Sequence, residues 1–530
     1  MCSFCVIFQK IRKNHDFSEI LVNTIFILTS QLKCCTMSSM MVKGTIKTLI
    51  IFNGGSTMQQ ENQKGQFNSN FGFLMAALGS AVGLGNLWSF PYKLGATGGF
   101  AFLLIYATLA VLIGYPLMLS EIAIGRKTGK AAIEAYKEVK PSFMFNGILQ
   151  TIVPWLLICF YCTFGGFISK YLIESITALF SSKAVLNTGD PGALFGQTIS
   201  SVGSSVAWVT AFLILTMVII FGGVSGGIEK FCKIAMPALF VMLVIIVIRS
   251  CTLPGAGPGL EFLFKPNFEQ WSTAKGFFDV LGTAGGQMFF SLSLSSGCII
   301  AYGSYLGKKE NLESNAAIIT LGDSLVALLA AMAIMPAVFA HGLEPGAGPG
   351  LLFVSMTAVF QAMGTIGKIF QFLFWLLVFF AALSSSIGMM EAGISAILDS
   401  RIKKGKSANR VQVAVIMSIF AWFGNFLTTA DQLGGSKNAA LVGFRNLFGQ
   451  PDVLDVWDCL AEGILMPLTG LLMAVLIGWL VPHYIDDEVT NGGERKFKSK
   501  AFYNFTLKWI GPIFMAMIVY NQISSFWGGK

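Results

Sequence analysis

The stretch GSAVGLGNLWSFPY, residues 79–92, decides how this chain is read. It lies inside an apolar run of membrane-helix length, yet it contains Gly79, Gly83, Gly85, Asn86 and Pro91. Glycine and proline both weaken a helix locally. At membrane depth, unwound backbone is tolerated only where it lines a cavity. Unwinding at Gly83-Leu84-Gly85 would expose carbonyls that bind cations. It would also open a second half-helix whose N–H groups and positive dipole end favour an anionic group such as a carboxylate.

The composition around this stretch sets the class. With 530 residues, 54% hydrophobic side chains, 12% charged ones and a mean hydropathy of +0.69, the chain reads as a polytopic membrane protein whose solvent is the lipid bilayer. Its 58 glycines and 47 phenylalanines suit closely packed spanning helices. The net charge of +9 falls in short clusters between apolar runs, so it signals topology rather than a nucleic-acid partner. Ten cysteines form no framework, four of them lying in the first 35 residues. Cys159 and Cys162 have redox spacing, but they sit in a long apolar run without a soluble βαβ context. His15, His341 and His483 stand too far apart to suggest a metal site. No G-x-x-x-x-G-K-[ST] loop occurs, so any uphill movement must draw on an ion gradient. No paired acid and base, metal cluster or activated nucleophile suggests an enzyme.

From Phe71 onward, eleven apolar segments reach membrane length, near 71–94, 98–124, 146–178, 205–223, 232–251, 277–306, 313–340, 367–399, 410–429, 458–482 and 502–523. The loops after even-numbered spans, which include Arg126, Lys127, Lys130, Lys308, Lys309, Arg401, Lys403 and Lys404, carry more than twice the Lys and Arg of the others. That bias predicts a cytoplasmic N-terminus and, with an odd count, a C-terminus outside. The sixth span is interrupted by SLSLSSG, residues 291–297, five spans after the first interruption. Five is odd, so the two halves run in opposite directions, the pattern of an inverted repeat with discontinuous helices. The expected fold is all-α: residues 71–251 form the first five-helix repeat, 252–482 the second, and 483–530 a cytoplasmic loop and an eleventh span. Residues 58–70 read as a cytoplasmic gate segment. Residues 1–57 read as a leader outside the native protein, because Gly54-Gly55 precedes Met58 at the distance a ribosome-binding site keeps from its start codon. A cleaved signal or an extra helix is the competing reading.

Four motifs carry a family resemblance: residues 79–92, GGIEKFCKIAMP (226–237), GQMFFSLSLSSGCIIAYGSYL (286–306) and FFAALSSSIGMMEAGISAILD (379–399). In this order and spacing they resemble the neurotransmitter:sodium symporters, in particular the eleven-span bacterial amino-acid transporters, over roughly Lys64 to Trp527. The resemblance implies sodium-coupled amino-acid symport by alternating access in the cytoplasmic membrane, with no organic cofactor. A channel or transport-inactive sensor on the same fold is the alternative, and two copies could pair as a homodimer. One implied sodium site uses carbonyls of Gly79, Val82 and Ala381 with the hydroxyls of Ser384 and Ser385. The other uses the Ala81 carbonyl, Asn86, Ser291, Asp323 and the substrate carboxylate, and oxygen ligands suit so hard a cation. The implied substrate residues are Ser80, Ala81, Leu84, Gly85, Leu157, Tyr161, Phe290, Ser291, Ser293, Ser296, Ser385 and Met389. Tyr161 would hold the carboxylate and Phe290 would close the pocket. Monoamine transporters of the family carry an aspartate where Gly83 stands, so the resemblance implies a ligand that brings its own carboxylate.

Departures from the family pattern matter as well. The outer gate is expected between Asp458 and an arginine, but Ser89 occupies the arginine position. The inner latch would pair Lys64 with Asp399, and Phe67 replaces a tryptophan. Both gates are therefore expected to be soft. Ser295 and Ser296 make the pocket floor more polar than usual, which favours a small or polar amino acid. Tyr106, Gln287 and Ser291 match the family's chloride ligands, while Asp323 and Ala327 depart from them. A fixed carboxylate at Asp323 would supply the charge that chloride otherwise brings; a structural, protonated aspartate is the alternative. Glu121 is expected to bond the unwound part of the sixth span, and Glu391 to face an inner vestibule.

Overall fold

The structure is a computed structural model that describes residues 65–527, apart from 182 and 347. The leader at 1–57 and Lys64 lie outside the described residues. Among the described residues, nine unbroken helices are long and apolar enough to cross a membrane: Phe100–Thr128, Pro141–Phe180, Val202–Phe221, Val224–Cys251, Leu312–Ala340, Gly364–Lys403, Arg410–Asp431, Val453–Leu480 and Lys500–Ser524. They are the second to fifth and seventh to eleventh spans of the sequence. The first expected span is the bent pair Asn70–Ala81 and Gly85–Ala96, which brings the count among the described residues to ten; the sixth is the interrupted pair Ala274–Ser291 and Cys298–Gly303.

The first span starts where the Ser69 hydroxyl accepts the Gly72 N–H (3.0 Å), an N-cap that satisfies one of the helix's orphan donors. Its first half, Asn70–Ala81, stops at Val82, whose ψ of 97° is extended, and the second half, Gly85–Ala96, leaves at a 47° bend. Thr273 caps the sixth span in the same way, accepting from Gly276 N–H (3.0 Å). Its halves are Ala274–Ser291 and Cys298–Gly303. Between them Ser293, Ser295 and Gly297 take positive φ values of 52°, 59° and 71°. Two non-glycine residues held left-handed within three positions cost conformational energy that the surrounding contacts must offset.

The third and eighth spans form the frame around these breaks. Each helix runs 40 residues, about 60 Å at 1.5 Å per residue, so each must tilt or protrude from a bilayer core of roughly 30 Å. They pack along each other, and the fourth and ninth spans pack on the third. The apolar part of the third span is 89% buried within the protein, against 33% for the eleventh, so the third is central and the eleventh peripheral. Ile214, Val218, Ile234, Ile248 and Trp509 point away from the protein on the peripheral spans, as lipid-facing side chains do.

Candidate substrate and ion site

The two breaks meet at the middle of the bundle. Around them lies a small cavity lined by Ser80, Ala81, Gly83, Gly85, Leu157, Tyr161, Phe290, Ser293, Ser296, Cys298, Ser385 and Met389. Its free volume is about 20 Å³, room for about one water, so this conformation is closed tightly around the site. Ten of the twelve residues expected to hold substrate line it. The other two act from behind the wall: Leu84 supplies backbone and Ser291 turns to Asp323. Cys298 was missed by sequence reasoning. Its signal was position alone, the first helical residue after the left-handed Gly297.

On one side of the cavity the break of the first span presents its backbone. The Leu84 N–H donates to the Tyr161 hydroxyl (3.1 Å), and the Gly83 N–H donates to Asn86 Oδ1 (3.1 Å). A Cβ on Gly83 would fall 2.2 Å from Ser385 Oγ and 2.6 Å from the Tyr161 hydroxyl, so no larger side chain fits there without displacing both. A Cβ on Gly85 would lie 3.3 Å from the Phe290 ring, which shows how closely that ring covers the break. Across the cavity the Ser293 hydroxyl donates to the Ser80 carbonyl (2.9 Å), tying one broken span to the other. The Ser296 hydroxyl donates back to the Ser293 carbonyl (2.7 Å).

Two oxygen-rich clusters flank the cavity. In the first, Asp323 accepts from Asn86 Nδ2 (2.8 Å), the Ser291 hydroxyl (2.7 Å) and the Tyr106 hydroxyl (3.4 Å), and all four side chains are buried. Ala327, one turn beyond Asp323, is also buried. Gln287 donates to the Gly85 carbonyl (2.7 Å), which holds the second half-helix against the sixth span. In the second cluster, the Ser385 hydroxyl reaches the carbonyls of Gly79 (3.2 Å) and Val82 (3.4 Å), while Ser384 bonds the Ala381 carbonyl (3.1 Å). The Gly79 and Val82 carbonyls are available because the break of the first span releases them from helical pairing, whereas the Ala381 carbonyl lies within the continuous helix of the eighth span. A cluster of carbonyl and hydroxyl oxygens with few nitrogen or sulfur donors suits a hard cation.

Of the expected gate residues, Ser89, Asp458 and Asp399 lie among the described residues and Lys64 does not. Ser89 donates to Gln287 Oε1 (2.7 Å) rather than facing Asp458, while one turn later Lys93 forms an ion pair with Glu462 of the tenth span. Asp399 accepts the Ala131 N–H (2.6 Å). The segment leading into the first span is held by Glu229, which accepts from Asn68 N–H (2.8 Å) and the Ser69 hydroxyl (3.3 Å). Phe67 packs edge-on against Phe73, Tyr302 and Tyr305, a site that suits an aromatic ring without a polar tip. Glu121 accepts the Ser295 N–H (2.7 Å), a donor that the break leaves without a helical partner. Glu391 lies on the eighth span. It is fully buried, paired with Arg410 and bonded by Tyr305 (2.7 Å) and Ser395 (2.8 Å), because a carboxylate at that depth needs a cation and the ninth span supplies one.

The profile of the sodium:neurotransmitter symporter family matches residues 64–189 and 180–528. The chain belongs to this family. It is 33% identical over 469 residues to a sodium-dependent transporter of Bacillus subtilis, YhdH, covering 87% of this chain and 98% of that one. The mouse sodium-dependent neutral amino acid transporter B(0)AT3 is 32% identical over 305 residues, 52% of this chain and 48% of its own length. Among solved structures, MhsT in complex with L-phenylalanine superposes with a TM-score of 0.76 at 32% identity, over 87% of this chain and all of MhsT. The family consists of transporters, and the chain is a multi-pass membrane transporter rather than an enzyme.

Proposed function

We propose that this symporter-family member couples sodium entry to the uptake of an amino acid by alternating access through the cavity between the two broken spans. The observation that carries the reading is the junction of the Leu84 N–H and the Tyr161 hydroxyl, with an oxygen cluster on either side. A substrate carboxylate placed there would meet a half-helix N-terminus and a phenol, while its remaining oxygen could complete the cluster of Ala81, Asn86, Ser291 and Asp323. The second cluster would hold a second sodium through Gly79, Val82, Ala381, Ser384 and Ser385. The crowding at Gly83 favours an amino acid over an amine, since it leaves no room for a protein carboxylate. Ser293 and Ser296 favour a small or polar side chain. The membrane is the cytoplasmic one, with the N-terminus inside and the C-terminus outside.

A sodium gradient imposed on proteoliposomes supplies the test. The reading requires labelled amino acid to accumulate above its external concentration, and only when sodium is present outside. A sodium-gated channel would merely equilibrate it, and a transport-inactive sensor would bind without uptake. Screening the twenty amino acids by thermal shift, with and without sodium, identifies the substrate because a ligand stabilises the state it binds.

A further inference from the structure

The cation that closes the mouth of this family's pocket is expected at Ser89, which carries no charge and whose hydroxyl is committed to Gln287 (2.7 Å). Lys93 follows one turn later on the same face of the first span. Glu462 follows one turn after Asp458 on the tenth span, within the widened π turn Cys459–Leu465. Under the proposed topology the two spans run in opposite directions. A four-residue step, about 6 Å along a helix, therefore moves the cation outward and the carboxylate inward. A lysine leaning back toward the N-terminus of its helix closes that offset, and its ammonium meets Glu462.

The pair stands over the pocket. A Cβ built on Gly286 would lie 3.2 Å from Glu462 Oε1, and Gly286 precedes Phe290, the ring that covers Gly85, by one turn of the sixth span. Lys93 and Glu462 thus join the first span to the tenth across the sixth, immediately outside the ring. Their side chains are 12% and 5% exposed. A pair so shielded is held firmly when closed, but its charges are costly to separate unless water enters as the spans part. Asp458 precedes Glu462 by one turn of the tenth span, so a second carboxylate lies on the same side of the gate.

We propose that Lys93 and Glu462 are the outer gate of this transporter, relocated one turn along each helix from the expected pair, and that the contact breaks and re-forms in each transport cycle. The gate rests on the transport reading above. The assay is uptake from an equimolar mixture of the twenty radiolabelled amino acids into proteoliposomes under an inward sodium gradient. K93M is expected to lower uptake at least ten-fold while keeping the thermal stabilisation that sodium plus the same mixture gives. S89R/K93M, which returns a guanidinium to the same two carboxylates, is expected to regain most of the loss. In K93C/E462C, whose uptake is already lowered by loss of the pair, a short bis-methanethiosulfonate bridge is expected to abolish the remaining uptake and dithiothreitol to return it to the unbridged level. Uptake that continues with the bridge in place would mean that the two positions stay together throughout the cycle, and would overturn the gate. So would wild-type uptake by K93M, or loss of ligand stabilisation along with uptake, which would make Lys93 a folding residue. Wild-type liposomes that accumulate none of the twenty overturn the transport reading and the gate with it, a result seen before any variant is compared.

Discussion

Tyr161 and Gly85 show how single side chains set the chemistry of the pocket. The Tyr161 hydroxyl sits on the Leu84 N–H in a buried site, where a hydrogen bond to a charged group contributes about 1.5–3 kcal/mol. Tyr161→Phe should therefore weaken amino-acid binding by roughly ten- to a hundred-fold, read by equilibrium binding in detergent; unchanged affinity would place the carboxylate elsewhere. Gly85→Leu should abolish uptake while the protein still inserts into the membrane, because a Cβ there already meets Phe290 and Ser291 at 3.3 Å and a branched side chain must displace them. Wild-type transport by that variant would remove Gly85 from the site.

At the scale of an element, the sixth span is the informative one. Its break is maintained by contacts from other spans: Glu121 takes the Ser295 N–H, and the Thr469 hydroxyl donates to the Ser295 carbonyl (3.0 Å). Those two bonds hold Ser295 at a φ of 59°, a region that β-branched side chains avoid. Ser295→Gly should leave the melting temperature in detergent nearly unchanged, whereas Ser295→Val should destabilise the protein by about 1–3 kcal/mol, the usual scale of such strain. Equal melting temperatures for the two variants would show that the left-handed conformation does not matter to stability. The presence of this break was legible in the run of serines and Gly297. The partners that hold it open were only half legible: Glu121 stood out as a carboxylate inside a span, but nothing marked Thr469 among the hydroxyls of the tenth.

For the whole molecule, the question is how the two cations proposed above would be balanced in a low-dielectric interior. Asp323 is buried among Asn86, Ser291 and Tyr106, and a carboxylate there can neutralise a cation that would otherwise need a bound anion. Transport should therefore be independent of chloride, and Asp323→Asn should impair it, with partial rescue by chloride when a serine also replaces Ala327. Uptake by the wild type that disappears when gluconate replaces chloride would sink this proposal. Asp323 could also carry a proton on the return of the empty transporter, taken up at the inner face and released outside, so that proton export is coupled to sodium entry and the interior of a proteoliposome becomes more alkaline during uptake.

Sequence alone determined the all-helical membrane class and the two breaks, because each has a local signature in hydropathy over some twenty residues and in glycines and serines at membrane depth, while most of the cavity wall, though not Cys298, followed from the resemblance carried by four motifs in order. Tertiary structure decided which charges meet. Lys93 with Glu462 and Glu391 with Arg410 join different spans, and a lysine or glutamate in an apolar run looks the same whether its partner is near or absent. Helix packing brings such residues together, and in a medium where an unpaired charge is costly, the pairing in space rather than the residue type gives each its role.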